Sequence, residues 1–174
     1  MPLSNTNKTG TGTFYWGLLD AEGRQIVSQS GDVLEVTFSL DTSAYADGDV
    51  LADMQEVTSA VLLSAGQCRI ESVIVLDKDD QGEALDIVFM NASGSLGTEN
   101  AAVSISDADA DQIVGIVEVA AADYVDLVNS QLATKETNII AEAAATSLYV
   151  GAISRGTGTY TASGITLKIG VIQL

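Results

Sequence analysis

Short runs in which apolar residues alternate with polar ones set the strongest constraint on what this chain can fold into. Leu34, Val36, Phe38 and Leu40 fall on one side of an extended segment, with Glu35, Thr37 and Ser39 on the other. That is the period of a strand with one buried face. Extended pieces also read at 50–57, 60–63, 68–76, 84–91, 147–155 and 165–174, and Ile116, Val117 and Val119 resume a strand after an interruption. Turn chemistry separates them: Asp47-Gly48 is able to take positive φ, "DKDDQG" stands at 77–82, and the Gly/Thr-rich "GTGTYTASG" at 156–164. The strand at 68–76, running through its polar turn into 84–91, predicts a β-hairpin. In it Cys68 shares a face with Ile70, Ser72, Ile74 and Leu76.

The interruption lies at 106–114. Ser106 or Asp107 is a helix cap, and carboxylates in a first turn complement the helix dipole, so one short helix is expected there. Residues 120–135 have mixed periodicity and fit a helical turn or a crossover loop. Many short strands, Gly and Asp turns and a single small helix predict an all-β fold, a β-sandwich or jelly roll. The chain of 174 residues suits one domain. The expected organisation is an extended N-terminal arm over 1–16 and one β-sandwich domain over 17–174, with no internal repeat.

Charge and composition narrow the chemistry. Asp and Glu number 24 against 7 Lys and Arg, a net charge of −17. The basic residues are scattered singly, whereas a nucleic-acid surface needs them clustered to displace phosphate counterions, so no nucleic-acid partner is expected. No stretch approaches the ~20 apolar residues that span a bilayer, and "MPLSNTNKTGTGT" lacks the basic start and apolar core of a secretory signal. The expectation is a cytoplasmically made protein with no membrane partner. There is one cysteine and no histidine. Cys68 therefore has no internal disulfide partner and no histidine to activate it, and reads as a small core residue.

Two acidic segments are candidate metal sites. In "DADADQIVGIVE", Asp107, Asp109 and Asp111 take the first, third and fifth positions of a calcium loop and Glu118 the twelfth. The sixth position is Gln112, where the loop's sharp turn needs glycine, and the flanks read as strand. The second segment holds Asp77, Asp79, Asp80 and Glu83 without a downstream carboxylate in register. Both read as solvated acidic turns, and no metal or cofactor is expected. "TGTGT" and "RGTGT" lack the Lys-Ser/Thr ending of a phosphate-binding loop. No pair of carboxylates stands out, so no enzyme activity is expected. The aromatic cluster Phe14, Tyr15 and Trp16, which holds the only tryptophan, reads either as a lid on the core or as an anchor in a neighbouring subunit.

Several segments resemble small virion structural proteins of tailed phages and prophages, the capsid decoration (cement) proteins. "DTSAYADGD" at 41–49 resembles the turn joining their first two strands, and Val75 to Lys78 with "ALDIVF" their central hairpin. "ISDADADQIVGIVEV" resembles a helix-then-strand segment, and "LYVGAISRGTGTY" with "LKIGVIQ" a closing pair. The resemblance covers roughly 31–173 and carries no catalytic or metal residue. It implies a homotrimer bound to the major capsid protein on the outer surface of the head, between capsomers, where it stabilises the shell. Another virion role is the alternative: a head fibre base, a tail component or a host-glycan-binding module, for which Tyr160 is the aromatic candidate.

Overall fold

The structure is a computed structural model that describes residues 30–174. Nine strands run through it: β1 (Ser30–Thr37), β2 (Val50–Val57), β3 (Gln67–Asp77), β4 (Leu85–Met90), β5 (Ile113–Val119), β6 (Tyr124–Asp126), β7 (Gln131–Glu142), β8 (Leu148–Ser154) and β9 (Ile165–Gln173). They form a five-stranded sheet in the order β1-β9-β3-β7-β6 and a four-stranded sheet in the order β2-β8-β4-β5. Every pairing is antiparallel.

With β6 set aside, the pairings β1·β9, β2·β8, β3·β7 and β4·β5 nest one inside the next. An eight-stranded chain folded back on itself in this way and wrapped into two four-stranded sheets is a jelly roll. The all-β sandwich expected from the sequence is thus the observed fold. The described part of the molecule is one sandwich around one interior.

That interior is lined from both sheets. Val36, Phe38, Ile70, Val73, Val75, Ile165, Leu167 and Ile169 face Leu51, Leu85, Ile87, Phe89, Leu148 and Val150, all less than a tenth exposed. Each such side chain contributes on the order of 1.5–3 kcal/mol by leaving water. Phe38 and Leu40 continue the inward alternation of β1 beyond its last paired residue, as their spacing predicted. Cys68 is buried in the same cluster, the place expected of it.

The four-stranded sheet is covered on its second face too. Residues 91–112 leave β4, cross the outer surface and return to β5, with the Asn91 N–H bonded to the Gln112 carbonyl at 3.0 Å where the excursion closes. Leu96 of this segment packs with Val50, Val88, Met90 and Ile153 in a separate apolar cluster. Its seat exists because β8 carries Gly151 beneath it. A Cβ there would stand 2.9 Å from Leu96 Cδ1, 2.7 Å from Met54 Sδ and 3.0 Å from the Ala52 carbonyl oxygen.

Four local expectations are corrected. The segment 68–91 is no hairpin: β3 pairs with β7 and β9, and β4 lies in the opposite sheet. Its polar turn is a corner between layers. Secondly, β3 does not keep one face throughout. Its register with both neighbours shifts between Ile70 and Ser72, so Val73, Val75 and Asp77 point inward and Ile74 and Leu76 outward. A bulge at Glu71 inserts the extra residue that reverses the alternation. Thirdly, residues 60–63 form bends in the β2–β3 connection.

The fourth correction concerns the helix. α1 covers only Asp107–Ala110, with Ser106 as N-cap and Asp111 as C-cap. The β-branched residues from Ile113 onward take over as strand. The ambiguous stretch 120–135 resolves into a 3₁₀ turn at Ala121–Asp123, the short strand β6 and the start of β7.

Gly151→Ala is expected to lower stability by about 1–3 kcal/mol through overpacking against Leu96 and the Ala52 backbone. A urea titration with unchanged slope and a reduced midpoint is the outcome that checks it.

Candidate interaction surface

At the end of the sandwich where β3 meets β4 and β8 meets β9, three connections are bonded into one platform. The Asp77 carboxylate, 1 % exposed, accepts the backbone N–H groups of Asp79 at 2.9 Å, Gln81 at 2.9 Å and Gly82 at 2.8 Å. These donors have left the β ladder, and the carboxylate replaces the partners they lost. Asp79 in turn accepts from the Thr161 N–H at 2.7 Å and lies 3.0 Å from its hydroxyl. The Lys78 N–H donates to the Gly164 carbonyl at 2.8 Å, and the Arg155 N–H to that of Ala84 at 2.8 Å.

The β1–β2 connection joins through Tyr45 and Leu40, whose N–H groups donate to the carbonyls of Gly158 at 3.0 Å and Ala162 at 3.1 Å. Tyr45 and Tyr160 pack ring on ring, centroids 6.1 Å apart and tilted by 57°. The Tyr45 hydroxyl accepts from the Asp41 N–H at 2.7 Å and donates to the Leu51 carbonyl at 3.1 Å. Burial pushes the Tyr45 phenol up to about 12, and burial also raises Tyr124 and Tyr160, both with help from the nearby Asp77 charge.

From this platform the β6–β7 hairpin projects. Lys135 donates to Asp123 at 2.9 Å, which holds that carboxyl below its ordinary range. Asp123 also accepts the Ala120 N–H at 2.8 Å and so fixes where the chain turns into β6. Tyr124 points inward against the core. The side chain of Gln131 lies over Gly82, where a Cβ would be 2.2 Å from its Oε1. Gly82 has a φ of 60°, so both conformation and space call for glycine.

The tip beyond these anchors is apolar. Val125, Leu127 and Val128 are 61, 51 and 79 % exposed. Val128 has a φ of 80°, a left-handed conformation that costs a β-branched residue roughly 1–2 kcal/mol. The Leu127 N–H donates to the Ser130 carbonyl at 2.8 Å and the Val128 N–H to Asp126, which hold the turn closed. Behind the tip, Val125 pairs with Leu132, which pairs with Leu76, so an apolar row continues onto the outer face of the five-stranded sheet. The turn is strained at Val128 and exposes three apolar side chains close in sequence, which makes it the candidate contact surface. Leu62 and Leu63, 59 and 74 % exposed, form a second, smaller apolar exposure at the opposite end.

The residues singled out from the sequence are placed differently. Asp107 and Asp109 occupy the first turn of α1, where the Ser106 hydroxyl accepts from the Asp109 N–H at 3.1 Å and donates to its carboxylate at 2.6 Å. Asp111 ends the helix, and Glu118 is five residues into β5. At ~3.3 Å per strand residue it is carried some ~17 Å along the sheet, away from the aspartates. The four are not gathered into a calcium loop, and among the described residues no group of three Asp, Glu, His or Cys is set to hold a metal ion. The second acidic segment is the corner described above. Tyr160 is 4 % exposed and is no open sugar platform. Phe14, Tyr15 and Trp16, and the arm over 1–16, lie outside the described residues.

Val125, Leu127 and Val128 escaped the sequence reading because turns are expected to be polar. The available signal was "VDLVNS" itself, two large apolar residues placed directly before an Asn-Ser turn.

The fold defines the class of the molecule, an eight-strand jelly roll with one added strand. No protein-family model matches the sequence. No curated protein matches it either. Among solved structures the chain is similar to the infectious bursal disease virus VP2 subviral particle, with a TM-score of 0.40 and 16 % identity over 91 % of this chain and 37 % of that one. It is also similar to the structures of the Gx strain of that virus (TM-score 0.38, 16 % identity, 91 % and 36 % covered) and of the Gt strain (0.36, 15 %, 91 % and 36 %). The chain spans little more than a third of the length of these proteins.

Val128→Gly is expected to leave stability unchanged or raise it by up to about 1 kcal/mol, since relief of the turn strain outweighs the added freedom of the unfolded chain. A urea midpoint that falls instead would show that the Val128 side chain supports the fold.

Proposed function

We propose that this protein is a virion structural protein, a decoration subunit that binds the outer surface of a tailed-phage head between capsomers and stabilises the shell. The observation that carries the reading is the nested jelly-roll connectivity, an architecture used by viral capsid and lectin domains. It is joined by the resemblance of 41–49, of 75–78 with 84–89, of 105–119, and of 148–160 with 167–173 to phage decoration proteins. The net charge of −17 favours the outside of a shell over its DNA-facing side.

The β6–β7 tip is the proposed grip on the major capsid protein. Val125, Leu127 and Val128 are fixed by Asp123, Gln131 and the platform before any partner arrives, so little ordering entropy is lost on binding. A homotrimer bridging capsomers would multiply a modest contact by attachment at several points. Binding and bridging of this kind require no catalytic residue, and the protein is proposed to be no enzyme. The glycan-binding alternative has no support from Tyr160, which is packed under Tyr45.

Purified expanded heads lacking the protein, incubated with it and imaged by cryo-electron microscopy, are expected to gain regular density between capsomers. Leu127→Asp is expected to reduce that occupancy at least tenfold at equal protein concentration, a loss of about 1.4 kcal/mol or more. Heads that gain no density from the unaltered protein would contradict the proposal.

A further inference from the structure

Four strands end the two sheets: β1 and β6 in one, β2 and β5 in the other. A bare edge is a template for another strand, so folds blunt their edges with charge, shortness or a covering segment. Three of the four are blunted in this way. β1 carries Asp32 and Glu35, and β6 is three residues long. The edge of β2 is occupied by the 91–112 segment. There the Val50 N–H donates to the Ala101 carbonyl at 2.8 Å, the Asn100 N–H to the Val50 carbonyl at 2.9 Å, and the Leu96 N–H to Asp53 at 2.7 Å.

β5 is the exception. It pairs with β4 on one side, and among the described residues no hydrogen bond from any other segment reaches 113–119. Along its free side an open groove of about 350 Å³ separates Ile116, Val117 and Glu118 from β7. Its sequence, "IVGIVEV", holds one charge, Glu118, with no lysine or proline, and Ile116 is 52 % exposed. The strand is also held firmly. Ile139 of β7 fills the space beside Gly115, where a Cβ would stand 2.8 Å from Ile139 Cδ1. The free backbone groups of β5 therefore stand in line for a partner with little ordering left to be done.

The strand's own sequence names the occupant. Two copies of β5 laid antiparallel are related by a twofold axis, and the residue on that axis fixes the register. Phe89 pairs with Gly115 and Met90 with Ile113, so Val114 is bulged out of the ladder and Ile113, Ile116 and Glu118 share the outer side. With Ile116 on the axis, Ile116 meets its own copy, Gly115 meets Val117, and Glu118 meets Ile113. The two Glu118 residues are then four positions apart, about 14 Å along the strands, beyond the ~8 Å Debye length at physiological salt. With Val117 on the axis they are only about 7 Å apart, and with Glu118 on it they face each other. Ile116 is thus the centre that charge permits, and the two exposed isoleucines cover one another there.

We propose that β5 pairs antiparallel with β5 of a second copy of this chain, centred on Ile116, so that two four-stranded sheets become one of eight strands. Such a contact closes at two copies, and it stands apart from the proposed role on a phage head. A strand pair of this length is modest, so the association depends on concentration. The charge of each copy, −17 over the whole chain, opposes it, so the dimer gains from added salt where an interface of ion pairs would lose.

Sedimentation equilibrium of the full chain tests the pairing. The mass is expected to rise from 18.0 kDa towards twice that value with protein concentration, and to do so earlier when salt is added. Ile116→Asp is expected to weaken association at least tenfold, with the far-ultraviolet dichroism unchanged. A pair of cysteine variants tests the register and does not depend on the aspartate variant keeping its fold. Residues opposed across antiparallel strands have Cα atoms ~4.5–5.5 Å apart, within reach of a disulfide, and the native Cys68 is buried. Under mild oxidation Ile116→Cys is expected to form a covalent dimer at least tenfold faster than Glu118→Cys. A chain that stays monomeric at every concentration and salt, or a mass that settles at three copies, would overturn the proposal. So would an association that a folded Ile116→Asp leaves intact, or equal cross-linking of the two cysteine variants.

Discussion

Among the described residues, six of the eight connections between strands carry the chain from one sheet to the other, and each such corner takes backbone N–H groups away from the ladder that paired them. A sandwich closes only if those groups find other acceptors in a region that water cannot freely reach. Asp77 answers that demand for the β3–β4 corner. Its carboxylate is buried, and three N–H donors from the turn it begins converge on it. The bonds are charge-assisted, so the cost of burying a carboxylate is offset where it arises. From that corner the order spreads outward: Asp79 to Thr161, Lys78 to Gly164, and Gln131 over Gly82. A hairpin tip can be held in a strained, apolar form only on a base of this rigidity.

The two sheets solve the problem of their outer faces unequally. The four-stranded sheet folds its own 91–112 segment over itself, and Gly151 makes room for Leu96. The five-stranded sheet has no such cover among the described residues and keeps Val33, Ile140 and Val125 well exposed. The asymmetry decides where partners have apolar surface to meet. It also concentrates the surface suited to contacts on one face and one end, while the covered face and its acidic helix turn remain a solvated side.

Much of the architecture was legible in the chain, and what was not failed for physical reasons. β1, β4, β8 and β9 announce themselves because their inward positions are large and apolar, as with Phe38, Ile87, Val150 and Leu167. β7, between β3 and β6, is not legible in the same way, since of its inward positions only Ile139 is large and apolar, while Ala133, Lys135, Thr137 and Ala141 are too small or too polar to give a period-two signal. The β3–β4 turn looks like a hairpin in sequence because sequence shows that a chain reverses without showing whether it stays in its layer. The bulge at Glu71 was invisible, as an inserted residue looks like any other until its partners are known. The contact surface was harder still: Val128 is notable for its backbone angle, and no residue type reveals that.

The central claim is that the rigid platform presents the β6–β7 tip as the contacting element. Hydrogen–deuterium exchange of the full chain, free and bound to purified expanded phage heads, tests it residue by residue. The account predicts that binding slows exchange over 124–131 while the Asp77 corner, already protected, stays unchanged. Protection confined to the opposite end around Leu62 and Leu63, with the tip exchanging as in the free protein, would contradict it.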